Sequence, residues 1–229
     1  KNNSRADATA VMQNFEYLDD RTFAPSSILS VGQDGASYSS VSGALSAIND
    51  ASIENPYLIN LAAGVFTEDS TIYLKSHVYI KGAGRKVTVI ECACDIAMAA
   101  GSIESQLSNL SLHARGTGNG PAVALQTNGS DTKFNLRNVV LTAESGTENI
   151  GIEVIGGSTV LDTVITHPEF PPNTIGIKAS DSAQLILRNA DIRGSTRGAV
   201  VQGDSRLTAL NTFLPFVNEV LDTSQMRCV

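Results

Sequence analysis

Two kinds of hydrophobic pattern divide this chain. Over residues 7–18, DATAVMQNFEYL, Val11, Phe15 and Leu18 recur at the spacing of one helix face, and Asp7 is placed to cap the start. The following DDRTFAPSS breaks that pattern with polar residues and Pro25. Residues 1–26 therefore read as a helical extension and a linker. From Ile28 onward the segments become short and rich in β-branched residues, with Gly, Asn, Asp and Ser between them, which predicts many short strands. One helix interrupts them. Ser40 can cap it, and Val41, Ala44, Leu45 and Ile48 form its apolar stripe. Its expected task is to plug an open end of the strand assembly.

The strands repeat. LSNLSL holds Asn109, LRNVVL holds Asn138, LDTVIT holds Thr163, LRNADI holds Asn189 and ALNTFL holds Asn211, at spacings of 29, 25, 26 and 22 residues. A second column runs through Val123, Ile152, Ile177 and Val200, at spacings of 29, 25 and 23. Two columns drifting together at one period are the mark of a solenoid. The period is too short for a βαβ unit of roughly 30 or more residues. It suits a parallel β-helix, in which each strand pairs with its equivalent one coil later at ~4.8 Å. Asn109, Asn138, Asn189 and Asn211 are then a structural ladder, because asparagine tolerates a left-handed turn and its amide can bond the next asparagine. The reading is a single-stranded right-handed β-helix of roughly seven or eight coils over 27–216, followed by a C-terminal cap or tail over 217–229.

Composition narrows the class. At 229 residues the chain can bury a full core as one domain. Charged residues are only 17% of it, and no apolar run reaches the ~18 residues of a membrane span. The net charge of −7, without a basic run, argues against a nucleic-acid partner. Tryptophan is absent, which weakens any sugar-stacking platform. Three cysteines cannot all pair within one chain; Cys92 and Cys94 face the same way on a strand and read as core residues, with Cys228 free. A lone C-x-C with three histidines in the chain falls short of a zinc set, so no metal and no cofactor is expected. KGAGRK lacks the length and ending of a phosphate loop and reads as turn glycines. The chain opens at Lys1 with no visible signal peptide, so the expectation is an exported protein whose signal lies outside this sequence.

Residues 28–95 carry a more specific likeness. Asp34-Gly35 leading into a helix from Ser40, a strand from Gly64 to Glu68, and Gly82-Ala83-Gly84 resemble the opening coils of the pectin methylesterase type of pectin-lyase-like β-helix. The N-terminal ADATAVMQNFEYL resembles a stretch of some phage tail and bacterial exported proteins. The first resemblance implies an esterase site of two carboxylates and an amide donor, and the matching positions depart from it. Pro121 stands where the family has a glutamine that holds the oxyanion. Ser145-Gly146 stand where it has a Gln-Asp pair, and the strand in NTIGIKAS carries no acid where the nucleophile belongs. Such an esterase needs those groups converging on one carbonyl.

Other chemistry has weaker support. A calcium-dependent lyase wants several acids on one outer strand face, and the positions around Val123, Ile152 and Ile177 offer only Glu153. A glycosidase pair drawn from Glu144, Glu148 and Glu169 is open, with solvated loop charge as the plainer reading. The residues before the ladder asparagines place Arg137, Asp162 and Arg188 as an exposed alternating-charge row. Beyond the asparagines, Val140, Ile165 and Phe213 make an outward apolar stripe, which the helix at 7–18 or a second subunit would cover. Beside it runs an outward column of His113, Thr142, His167 and Arg193, of which His113, His167 and Arg193 are the candidates for ligand contact. The two histidines lie two coils apart, ~10 Å, too far to share a metal.

The expectation is a non-catalytic or degenerate β-helix module of a secreted, cell-surface or virion-associated protein, offering a rigid surface for attachment or polysaccharide contact. A homo-oligomer, with a trimer as one form, is expected through the apolar stripe. The alternatives are a carbohydrate-active enzyme (esterase, lyase or glycosidase) with non-standard residues, and a structural spacer.

Overall fold

A computed structural model describes residues 27–33, 35–164, 174–188, 196–212, 217–220 and 224–228. They form a parallel β-helix. Its strands are β1 (Ser27–Val31), β2 (Tyr57–Leu61), β3 (Gly64–Glu68), β4 (Ile72–Tyr73), β5 (Val78–Lys81), β6 (Thr88–Cys92), β7 (Ile96–Ala100), β8 (Glu104–Arg115) and β9 (Ala122–Thr127). They continue as β10 (Thr132–Glu144), β11 (Asn149–Ile155), β12 (Ser158–Val164), β13 (Thr174–Ser180), β14 (Gln184–Arg188), β15 (Arg197–Val201), β16 (Arg206–Leu210), β17 (Val217–Val220) and β18 (Gln225–Cys228). The helix α1 is Val41–Ala47.

The strands line three faces. The first face runs β4-β7-β9-β11-β13-β15-β17. The second runs β1-β2-β5-β8-β10-β12-β14-β16-β18. The third is β3 and β6 pairing onto the second halves of β8 and β10. Two asparagines make the corner between the second and third faces. Asn109 (φ 54°) and Asn138 (φ 53°) take the left-handed conformation in the middle of β8 and β10. The Asn138 amide Nδ2 donates to Asn109 Oδ1 at 2.8 Å, so the ladder predicted from sequence is formed there. Asn211 also has a left-handed backbone (φ 48°). One rung earlier the corner is Gly82, where a Cβ would stand 2.3 Å from the Asn109 carbonyl oxygen, so only glycine fits under the ladder.

Like stacks on like inside. Ile59, Ile80, Leu107 and Leu136 are level with one another on the second face, and all four are fully buried. Ile90, Leu112 and Leu141 do the same on the third face, and Met98, Leu125, Ile152 and Ile177 on the first. Each such side chain contributes about 1.5–3 kcal/mol by leaving water. At the N-terminal end α1 closes this column with Val41, Ala44 and Leu45, as its apolar stripe predicts.

Several details differ from the sequence reading. β10 and β12 align Phe134 with Leu161 and Leu136 with Thr163, so Thr163 is not level with Asn138. The spacing there is 27 residues, which places buried Phe134 on buried Leu161. On the first face Val123 is level with Ile150, and Leu125 with Ile152. Lys178, not Ile177, is level with Val200. Asp162 is level with Asn135 and Arg188, whereas Arg137 is level with Val164, so the three-residue charge row does not form as drawn. β17 and β18 pair onto β15 and β16, so rungs continue into the segment beyond 216. Cys92 is in the core and Cys94 packs against it, as read, and the two are in addition joined in a disulfide. The helix expected at 7–18, together with Asp34, Ile165, His167, Glu169, Asn189, Arg193 and Phe213, lies outside the described residues.

Candidate functional site

Functional side chains of a β-helix stand on the outward positions of its faces, because the inward ones fill the core. On the first face two outward rows run side by side. One is apolar: Val123, Ile150 and Ile175 are level, and with Val200 they form a small cluster separate from the core. All four are at most 2% exposed, so this row is covered. The other is polar: Gln126, Glu153 and Lys178 are level on successive rungs. Gln126 Nε2 donates to Glu153 Oε2 at 2.9 Å. Lys178 Nζ lies 3.9 Å from Glu153 Oε1 and 2.6 Å from Glu148 Oε2. Arg197 Nη2 reaches Glu148 Oε1 at 3.3 Å. The hydrogen bond from Lys178 holds the Glu148 carboxyl below its ordinary range, against the opposing effect of burial, and Arg197 adds to the lowering.

Those partners decide what the face can do. A carboxylate nucleophile needs a free oxygen aimed at an open carbonyl. Glu153 is 8% exposed, its Oε2 accepts from Gln126 and its Oε1 faces the Lys178 ammonium, and Glu148 is held between two cations. Pro121 is exposed just before β9 and offers no amide. Ser145 (φ 64°) and Gly146 form the turn before β11, where the Gly146 N–H donates to Asn149 Oδ1 at 3.0 Å. β13 presents Ile175 and Lys178 outward. The positions matched in sequence to the esterase's carboxylates and amide donor thus carry a turn, a proline and an apolar row.

The third face presents a different group. Glu91 and His113 are level, and Arg115 is level with Glu144. His113 Nδ1 lies 3.5 Å from Glu91 Oε1, and Nε2 lies 3.3 Å from Glu144 Oε1. Arg115 Nη2 makes a close ion pair with Glu91, and its Nε lies 3.5 Å from Glu144 Oε1. The His113 ring is mostly buried, and its Nε2 makes no hydrogen bond of good geometry. Glu144 and Arg115 stand open to solvent. Of the three candidate contact residues, His113 is therefore brought into a charged cluster on an accessible face. The sequence had the histidine but not its partners: Glu91 lies one coil back, and only the register shows that the two are level. Among the described residues no group of histidine, cysteine and acidic side chains is arranged to hold a metal ion. No described helix is long and apolar enough to cross a membrane.

No family model matches the chain, and no curated protein matches it. Among solved structures it is similar to pectin methylesterase PemA from Erwinia chrysanthemi, with a TM-score of 0.53 over 86% of this chain and 81% of that chain, at 13% identity. Pectin methylesterase from carrot overlays on 90% of this chain and 84% of its own, with a TM-score of 0.48 and 16% identity. At such identity the likeness establishes the fold: a parallel β-helix of the pectin methylesterase type.

Proposed function

We propose that this protein is an exported β-helix that contacts an extended polysaccharide on its outer surface and does not carry out pectin methylesterase chemistry. The observation that carries the reading is the third-face cluster. Glu91, His113, Arg115 and Glu144 place donors and acceptors over adjacent rungs of a flat face, which suits the hydroxyls of a sugar chain. Arg115 and Glu144 are the members open to solvent and present their free donors and acceptors to a ligand hydroxyl, with His113 packed between the carboxylates behind them. The Cys92–Cys94 disulfide supports an oxidising destination. The partnered state of Glu148 and Glu153 supports the non-esterase part.

A second reading has its own support. Glu91 and Glu144 flank one histidine, and two carboxylates are what glycoside hydrolysis uses. A polysaccharide array scored for retention and for reducing ends separates the two. Retention without new reducing ends, lost in His113→Ala, is the result expected. New reducing ends would replace the proposal with the hydrolase reading, and neither signal would favour a spacer.

A further inference from the structure

The last three rungs of the second face differ in charge from the rest of the chain. β14, β16 and β18 read QLILR, RLTAL and QMRC, three arginines and no acid, in a chain of net charge −7. Arg206 is level with Gln225, and Thr208 with Arg227. Arg227 thus stands one rung on and two residues along from Arg206, a diagonal of ~7–8 Å. Between them lies a groove of about 390 Å³ lined by Arg206, Thr208, Leu210, Gln225, Met226 and Arg227. The Arg206 guanidinium is braced there, because Nε and Nη2 both donate to Gln225 Oε1, at 3.2 and 2.6 Å. Its other N–H donors, and the Gln225 amide nitrogen, are left for a ligand. Arg227 is exposed and has no partner among the described residues. The nearest acid in sequence, Asp204, is in the turn before β16.

We propose that this groove is an anion subsite that holds carboxylate groups of an acidic polysaccharide through Arg206 and Arg227. The guanidinium fork matches a carboxylate with two parallel bonds. Thr208 and the Gln225 amide add hydroxyl-scale donors, and Leu210 and Met226 give the apolar floor on which a sugar ring can lie. The arginines are spread along the strands and across rungs, so an extended chain with repeated charge engages both where a single small anion engages one. This subsite is on another face from the His113 cluster and stands or falls apart from it.

The test is affinity electrophoresis of the full chain in gels containing alginate, a carboxylate polymer, or dextran, a neutral one. Retardation by alginate and not by dextran is expected, weakened about tenfold in the double variant Arg206→Gln/Arg227→Gln. The control Lys81→Gln/Lys86→Gln removes the same charge from exposed sites elsewhere and is expected to keep its retardation. Unchanged far-UV circular dichroism establishes that each variant is folded. No retardation by alginate, equal retardation of wild type and arginine variant, or equal loss in the lysine control would overturn the proposal. So would equal retardation by duplex DNA that is lost with the same arginines. Loss of the His113 contact alone would leave the alginate result unchanged.

Discussion

Glu68 caps a helix that begins 27 residues before it: its Oε1 accepts the Val41 N–H at 2.7 Å. The same carboxylate accepts from the Ser42 N–H and the Ser42 hydroxyl. At the far end of α1, Lys75 Nζ donates to the Leu45 and Ile48 carbonyls at 2.7 and 2.5 Å. The two orphaned ends of a seven-residue helix are thus satisfied by the next coil, with the charge at each end matched to the dipole. The Gly64-to-Glu68 segment of the sequence motif has its physical reason here: its last residue holds the plug. Glu68→Ala is expected to lower stability by ~1–3 kcal/mol, and Glu68→Gln by less, since an acceptor stays. Urea unfolding checks this; an unchanged midpoint in Glu68→Ala would mean that the plug is held by packing alone.

The asparagine corner separates two contributions. Asn138→Gly keeps the left-handed backbone and loses the bond to Asn109; Asn138→Ala loses the bond and strains the turn. Losing the bond is expected to cost ~1–3 kcal/mol, with Ala worse than Gly by up to ~1–2 kcal/mol. Equal urea midpoints for the two variants would remove the backbone term from this account.

Much of this fold is legible because stacking repeats. The Asn109–Asn138 corner, the level pairing of Ser111 with Val140 and of His113 with Thr142, and the capping helix all follow from local pattern. Longer-range register is not legible at the same level. Thr163 looks like the missing asparagine by spacing, yet Phe134 stacks on Leu161 in the core, and that register sets Thr163 level with Leu136 instead of Asn138. A glycine repeat marks another corner: Gly101-Ser102, Gly129-Ser130 and Gly157-Ser158 recur every 28 residues at the entry to the second face. A Cβ at Gly129 or Gly157 would stand 2.2 Å from the backbone of the coil below, so these glycines mark the tightest corner. The charged clusters were the least legible part. Glu91 and His113 are brought level by coil stacking from 22 residues apart, and no repeat column of the sequence includes Glu91; Glu153 and Lys178, 25 apart, do follow the Ile152–Ile177 column.

Acid should find the first face. The folded Glu148 carboxyl titrates below its unfolded value because Lys178 bonds it and Arg197 sits beside it. Its contribution to stability is therefore fully present above the unfolded carboxylate value, near 4.3, and is lost as pH falls through the lower folded value. Glu148→Gln removes that dependence. Its urea midpoint is expected to fall less steeply than that of the wild type as pH drops from about 5 toward 3. Parallel curves would show that Glu148 gains nothing from its two cations.

The Cys92–Cys94 bridge closes a loop with one residue between its ends. So small a loop restricts the unfolded chain little, and reduction is expected to cost only ~1–2 kcal/mol. Far-UV circular dichroism and urea unfolding with and without dithiothreitol measure it. Complete unfolding on reduction would contradict a minor constraint.

The central claim is that the pectin methylesterase fold here works without that enzyme's chemistry, and methanol release from highly methyl-esterified pectin tests it most directly. With folded protein across the pH range from about 4 to 9, the expected result is no methanol above the protein-free control. Steady release in proportion to protein concentration, kept in Glu153→Gln or lost with it, would contradict the account.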